Sequence, residues 1–570
     1  LNNKDFYGNN AGTTVKMVIK THIDAKKVSI ETLRAHGHLV ENDKKTETDI
    51  KIKNETTVTT TKADNQGTWD VDKKVTPPPT TTDSPVPSIK DPVKKVSDSD
   101  DLNWDATVKQ DGEKTPGSHN RVTDVTNQWL YTLTQEIPAH TVELYHYKSF
   151  TITDAVDSCL SYDVKDITIK AGDKDYTDKF DITKGDDNSL TLTAKSDVLA
   201  SDEFYGGKSG NKIVVSFPVK ISADAKTLKD ENLGHLEIGG KKMAHLQKVS
   251  DLQKLSGFTD LVKSKDNEYV YAFLNQAKSH IDSQIKYEGQ TGVKDRTTDK
   301  VETAVETADP TIKKESSKYE WQVGDKVDYT INVGDANSNS IADNVVITDE
   351  SLPKAMLPDK DSITISSTFD KEKSGAPEDR DISKDAKIEY TEKGFVITIP
   401  KLYRGEVTTI KLTCTAKEKS TYDSVTDQWA DCLEKANVDK KLTCVNGEVI
   451  ENRAYVTATL MLKDKDNPPD DLERVWVNTP HLNIKKSVEK KEYNVGETVK
   501  YTLVVTNVHE GTLARDIVIT DQLQTPGETI VEGTIRLKDE TGAVYDLGKK
   551  AGKDAEKPYL ETQDDTSFKI

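Results

Sequence analysis

At 570 residues the chain is too long for one hydrophobic core, and three to five domains are expected. Hydrophobic residues make up 34%, charged residues 31% and aromatics 6%, which suits half-exposed antiparallel sheets in small modules better than one large enzyme core. The formal charge of −19 offers no basic stripe to nucleic acid, and no apolar run reaches the length of a membrane span.

The chain opens without a charged-then-apolar leader and stops at Ile570 inside a repeating pattern, as expected of a piece cut from a longer protein. Residues 1–76 read as the C-terminal remnant of a sandwich. Asp5-Phe6-Tyr7-Gly8 matches Glu203-Phe204-Tyr205-Gly206 at an offset of 198, where Val15, Met17, Ile19 and Ile23 also fall on Ile213, Val215, Phe217 and Ile221. The alternation is in phase, which predicts the same half-buried strand in both places. Residues 77–87, which open Pro77-Pro78-Pro79, read as a stiff, extended linker.

Residues 88–306 form the largest module. Strands are predicted at 129–133 and 150–154, then in the Phe-Tyr-Gly segment. Leu236, Leu246, Val249, Leu252 and Leu255 approach helical spacing, so a small helical insertion is predicted over 228–265, with strands resuming at 269–274 and near Val301. Residues 307–479 repeat the plan with strands at 327–331, 345–349 and 450–456, and a short helix is predicted at 424–436. Residues 480–570 repeat the opening of that module and stop before its closing strands. Many short strands between Gly, Asn and Asp turns predict an all-β chain of tandem Ig-like sandwich modules in series.

Three features recur. Val93-Lys94-Lys95, Ile312-Lys313-Lys314 and Ile484-Lys485-Lys486 open the modules. Residues two apart on a strand share a face, so if Val93, Ile312 and Ile484 point inward, Lys95, Lys314 and Lys486 do as well. Which lysine of each pair is inward rests on that alternation alone. A Thr-Asp strand ends each copy at Asp154, Asp349 and Asp521, with lysine-to-aspartate spacings of 59 (95 to 154), 35 (314 to 349) and 35 (486 to 521). Asn-x-Ala closings place Asn275 and Asn452 where core residues are expected.

These groups fit one self-reaction. Burial lowers a lysine pKa and frees a nucleophilic amine, while it raises an aspartic acid pKa and keeps the acid protonated. The acid can then polarise an asparagine carboxamide and carry protons as the amine displaces ammonia.

The Pro-x-x-x-Lys-Lys openings, Val-Gly-Asp/Glu and Tyr-Thr strands, Thr-Asp strands and Asn-x-Ala closings resemble the isopeptide-forming D2 domains of Gram-positive fimbrial proteins, pilins and surface adhesins built from CnaA-like sandwiches. The resemblance covers about residues 88–570 and extends more faintly to the first 76. It implies Lys95, Asp154 and Asn275 as one set, Lys314, Asp349 and Asn452 as a second, and Lys486 with Asp521 as part of a third. It also implies an extracellular structural protein, a pilus subunit or adhesin stalk in the cell wall. Sortase would join it to a neighbouring pilin or to peptidoglycan, and a host surface or matrix ligand is a further partner. No Tyr-Pro-Lys acceptor motif and no LPxTG-type signal occurs in these residues. The alternative is a ligand-binding wall-anchored adhesin with its site in the 228–265 insertion and the sandwiches as spacer.

No enzyme acting on a diffusible substrate is expected. Phosphate-binding glycine loops and a Gly-x-Ser-x-Gly elbow are missing, and no cofactor is implied. The four cysteines form no CxxC pair and the 11 histidines no paired ligand spacing, so no metal site is expected. Cys414, Cys432 and Cys444 leave open either one disulfide or buried thiols. The acidic stretches 185–188 and 464–471 read as turns rather than calcium loops.

Overall fold

The computed structural model describes residues 16–21, 30–36, 39–41, 48–54, 58–63, 69–75, 80–84, 89–98, 117–139, 146–207, 209–230, 237–238, 241–254, 269–287, 291–352, 358–359, 361–416, 447–547 and 557–570. Strands dominate these residues, and the helices are one or two turns long.

At the N-terminal end, Thr48–Asn54 pairs antiparallel with both Leu39–Glu41 and Thr80–Ser84. The expected free linker is therefore partly sheet: the Thr-rich half, free of proline, has β-branched side chains and open N–H groups to pair with. The strand expected from the repeat at 15–23 is not formed over its described part. Residues 16–21 carry no secondary structure, and Met17 and Ile19 are 73% and 65% exposed. Apolar alternation needs a partner strand to bury it, and among the described residues none pairs with this segment.

The first full module is built on β1 (Val93–Asp98), β2 (Trp129–Ile137), β3 (Tyr147–Ala155), β4 (Asn211–Ile221), β5 (Tyr269–Asn275) and β6 (Ala277–Tyr287). One sheet runs Lys174–Asp175, Thr168–Ala171, β4, β2, β1, and the facing sheet runs Phe180–Lys184, Ser189–Ala194, β3, β6, Thr291–Thr297. Along β2, Trp129, Tyr131, Leu133 and Ile137 turn inward at alternate positions to meet Phe150 and Ile152 of β3 and Val215 and Phe217 of β4. Each such side chain contributes about 1.5–3 kcal/mol by leaving water. β5 departs from the sandwich just before β6 and joins Leu246–Lys248, Val301–Glu306 and His119–Val122 in a third sheet.

The insertion is less helical than its spacing predicts. Its described residues form short strands at Glu237–Ile238, Lys241–Lys242 and Leu246–Lys248 and one helical turn, Val249–Leu252. Val249 and Leu252 pack with Val270, Ala272 and Leu274 of β5, and this tertiary contact overrides a weak helical pattern.

The second module comprises β7 (Pro310–Ser316), β8 (Lys326–Asp335), β9 (Ala342–Leu352), β10 (Gly394–Leu402), β11 (Val407–Thr415), β12 (Gly447–Thr457) and β13 (Asp470–Asn478). Its sheets run β7, β8, β11, Thr364–Thr368 and Glu320–Gln322, β13, β12, β9, β10, Lys387–Tyr390. Val327, Tyr329, Ile331 and Val333 of β8 face Val345 and Ile347 of β9 across its core. The helix expected at 424–436, with Cys432 and Cys444, lies outside the described residues; Cys159 and Cys414 are buried free thiols. Residues 185–188 form the tight turn expected of them, with Asn188 at φ 65° and Asp187 Oδ1 accepting the Ser189 N–H and hydroxyl.

A polar joint ties the two full modules. Lys401 donates to the buried Asp124, and Asn337 Nδ2 donates to Glu306 Oε2 at 2.9 Å, itself paired with Arg121. The last module begins with β14 (Leu482–Val488) paired to β15 (Tyr501–Asn507). Arg515 reaches back to Asp325 of the second module.

Candidate functional site

The second module presents the site most completely. β7 is edge-paired to β8 and packs against β12 and β13 of the other sheet. Its inward positions are Pro310, Ile312 and Lys314, and Lys314 is 2% exposed although it carries an amine. The neighbouring Lys313 is exposed and pairs with Glu315, so the alternation selects Lys314. Lys314 Nζ is ion-paired with Asp349 of β9, which is 1% exposed.

β9 and β12 are antiparallel, with Asp349 opposite Ala454 and Ser351 opposite Asn452. Asn452 and Ala454 are two apart and share the inward face, so the Asn452 carboxamide is the diagonal neighbour of the Asp349 carboxyl. Asn452 is fully buried, and neither Nδ2 nor Oδ1 has a hydrogen-bond partner. An unsatisfied buried polar group costs roughly 1–3 kcal/mol, so this carboxamide is held at some expense beside an amine and an acid.

Tyr329 of β8 completes the cluster. Lys314 Nζ lies 5.0 Å from its ring centroid, and its buried hydroxyl feels both the Asp349 charge and the Asn452 amide without reaching hydrogen-bond geometry. Burial pushes the Asp349 carboxyl up, against the pull of Lys314. Gly394 of β10 lies directly against the Asp349 backbone: a Cβ there would collide with the Asp349 carbonyl oxygen. Any side chain at this position must displace β9 and the acid with it.

The first module repeats the arrangement with one correction. Lys94, and not Lys95, is the buried amine, 3% exposed and ion-paired with Asp154. Lys94 and Val96 take the inward positions of β1, in phase with the buried Pro92 just before it, while Val93 is 50% exposed and Lys95 half-buried. Val93 is thus an outward residue, and the inference drawn from it is off by one. Lys94 Nζ lies 4.6 Å from the Tyr131 centroid, and desolvation pushes its ammonium down against the pull of Asp154. Asp154 lies opposite Ala277, and Asn275 at the end of β5 is 2% exposed with both amide atoms unpartnered.

The last module brings Lys486 and Asp521 together, with Nζ 2.8 Å from each carboxylate oxygen and 4.5 Å from the Tyr501 centroid. There Lys486 is 37% exposed at its side chain, and no asparagine joins the pair among the described residues. Sequence reasoning missed the tyrosine in all three copies. The Tyr-Thr strand was visible as a repeat, but nothing in its pattern distinguishes a ring under an amine from an ordinary core residue.

Two other acids, the buried Glu302 and the partly buried Glu473, make stability depend on pH. Burial pushes Glu302 up to about 7, and burial together with Asp471 pushes Glu473 up to about 7. Between an unfolded value near ~4.3 and about 7 the native state holds protons that the unfolded state has lost, so stability falls as pH rises through that window. Thermal unfolding is expected to occur several degrees higher at pH 5 than at pH 8. For the well-buried Glu302 the difference is on the order of 2 kcal/mol; the half-exposed Glu473 adds less. Glu302→Gln should flatten the first module's share of that slope, as calorimetry at the two pH values would read.

No family model matches the chain, and no curated protein matches it. Among solved structures it is similar to the C-terminal domain of the Streptococcus agalactiae AgI/II polypeptide BspA, at 13% identity over 68% of this chain and 100% of that one, with a TM-score of 0.31. The C-terminal domain of the Streptococcus pyogenes antigen I/II-family protein AspA aligns at 12% identity over 68% and 99%, with a TM-score of 0.31. Domains D2 and D3 of the major pilin SpaD from Corynebacterium diphtheriae align at 12% identity over 66% and 92%, with a TM-score of 0.23. Likenesses this distant carry no weight for function, which is argued from the buried clusters alone.

Proposed function

We propose that the chain is a structural stalk protein of a bacterial cell surface, a pilus subunit or adhesin shaft, whose sandwiches are locked by intramolecular isopeptide bonds. The observation that carries this reading is the buried Lys314 amine held against Asp349, with the unpaired Asn452 carboxamide on the adjoining strand. A solvated surface lysine would need no such cage, and a buried ion pair made only for stability is usually a poor bargain.

The chemistry follows from the placement. Within the Lys314–Asp349 pair the proton passes from the ammonium to the carboxylate; that proton then polarises the Asn452 carboxamide oxygen, and the freed Lys314 Nζ attacks Cγ. The tetrahedral carbon collapses with loss of the amide nitrogen, to which Asp349 returns the proton taken from the attacking amine. Lysine amine plus asparagine carboxamide thus give one Nε-amide and one ammonia, and Asp349 ends as it began. The Tyr329 ring, its centroid 5.0 Å from Lys314 Nζ, helps to fence the cluster from water, which spares the carboxamide from hydrolysis. Lys94, Asp154, Asn275 and Tyr131 have the corresponding roles in the first module.

The bond would join the first strand of each module to one near its end, β1 to β5 in the first and β7 to β12 in the second, so tension between those strands passes through a covalent link. The spacer reading also suits the insertion: Lys229 at its start pairs with Asp464 of the next module, and the Tyr271 hydroxyl donates to the Leu460 carbonyl at 3.2 Å. Lys229 engages the start of the insertion in this joint, and Tyr271 does the same for β5 beside it. Proteolysis of the unfolded protein followed by fragment-ion sequencing tests the proposal. A branched peptide joining Lys314 to Asn452 is expected, and recovery of both residues only in separate, unmodified peptides would refute the bond.

A further inference from the structure

A second cluster of reactive side chains lies apart from the lysine cages, where the insertion of the first module meets its sandwich. Asp157 and Cys159 sit in the turn that follows β3, and His245 precedes the strand Leu246–Lys248. Their side chains are buried, at 1%, 2% and 0% exposure. A carboxylate oxygen, the thiol sulfur and an imidazole nitrogen all lie within 4.8 Å of one another.

Each group is held by its backbone. Asp157 Oδ1 accepts the Cys159 N–H at 2.8 Å, the His245 N–H donates to the Leu228 carbonyl, and the His245 carbonyl accepts from Ala272 of β5. Asp157 Oδ2 is 2.8 Å from His245 Nε2, yet Nδ1 of the same ring is buried without a hydrogen-bond partner. The histidine is therefore fixed in place while its polar demands are only half met. Burial and the Asp157 charge push the Cys159 thiol up to about 11, an environment that a cation would reverse.

We propose that Asp157, Cys159 and His245 bind one zinc-like divalent cation that clasps the insertion to the sandwich. One oxygen, one sulfur and one nitrogen donor suit a borderline cation and not calcium or magnesium, which take oxygen. Zinc–ligand distances of about 2.0–2.3 Å set tetrahedral edges of roughly 3.3–3.8 Å, so binding would open the 2.8 Å oxygen–nitrogen contact by about half an ångström. The thiol proton leaves to solvent as the sulfur–metal bond forms. Asp230, exposed, is close enough for its charge to act on Cys159. Leu228, which fixes His245, adjoins Lys229 of the inter-module ion pair, so occupancy would stiffen the joint as well as the insertion.

The full chain, reduced and stripped of metal, is titrated with zinc chloride and with cobalt chloride. One zinc per chain should survive desalting, and cobalt should give a thiolate charge-transfer band. Cys159→Ala should abolish that band, and His245→Gln should weaken zinc binding at least tenfold, both with unchanged sheet circular dichroism. Failure of the wild type to retain stoichiometric zinc, or undiminished zinc and cobalt signals in both variants, overturns the site. If either variant does not fold, alkylation of Cys159 in the wild type decides. Slowing by zinc supports the site, and equal rates with and without zinc refute it.

Discussion

The Asp349→Ala protein is expected to be heavier than its wild-type counterpart by one ammonia, once the substitution itself is subtracted, because the bond of the second module no longer forms. The wild type should be lighter than its sequence mass by two ammonias, one for each full module. The stability effect should be large. The Lys314–Asn452 link closes a loop of 138 residues (452 − 314), for which loop-closure entropy supplies about 5 kcal/mol. Removing the acid also leaves the Lys314 amine, 2% exposed, without its charge partner, which typically costs a further 3–5 kcal/mol. The first of these effects alone corresponds to a fall of about 10–20 °C in the unfolding midpoint of a module this size. Intact-mass spectrometry and calorimetry on the same samples read the two effects independently. A wild type at full sequence mass would remove the crosslink from the account and leave only the buried ion pair.

Much of this arrangement is written in repeats. The Thr-Asp strands, the Tyr-Thr strands and the Asn-x-Ala closings each recur at similar spacing, and a position that recurs on a strand recurs on a face. Asp154, Asp349, Asn275 and Asn452 were legible for that reason, and all four are buried. Less legible was anything settled by contact across the sequence. The break between β5 and β6 sends Asn275 into a third sheet, and no local pattern announces it. The insertion's leucines approach helical spacing but are buried by β5, so packing decides their conformation. Cys159 and His245 are 86 residues apart (245 − 159), beyond the reach of any spacing motif for a metal site.

One signal for the buried lysine was present and pointed to the corrected residue. Each opening strand or the segment leading into it carries a proline, and inward positions fall at even distances from it: Pro92 to Lys94 is 2, Pro310 to Lys314 is 4, and Pro480 to Lys486 is 6. Lys95 stands at an odd distance and Lys94 does not. Taking phase from the apolar Val93 failed because a valine on an edge strand can face water at small cost, whereas the buried proline marks the inward row.

This phase makes the second prediction sharp. Lys94→Ala should lose the first module's bond, so that the protein is lighter than its sequence mass by one ammonia instead of two. Lys95→Ala should retain both losses. The Lys94–Asn275 link would close a loop of 181 residues (275 − 94), and its removal should cost about 5 kcal/mol by the same entropy argument. Lys94→Ala also strands Asp154, 1% exposed, as an uncompensated acid among Tyr131, Phe217 and Ile152, so the first module should melt well below the second. The half-buried Lys95 side chain has no such partner to abandon, and its replacement should shift the midpoint by no more than a degree or two. The contrast separates chemistry from charge: both substitutions delete one lysine from the same strand, and only the one on the inward row should restore an ammonia to the mass. If Lys95→Ala were the variant that gained mass, β1 would have to pair with β2 one residue out of register, turning Pro92 and Val96 to solvent and Val93 to the core.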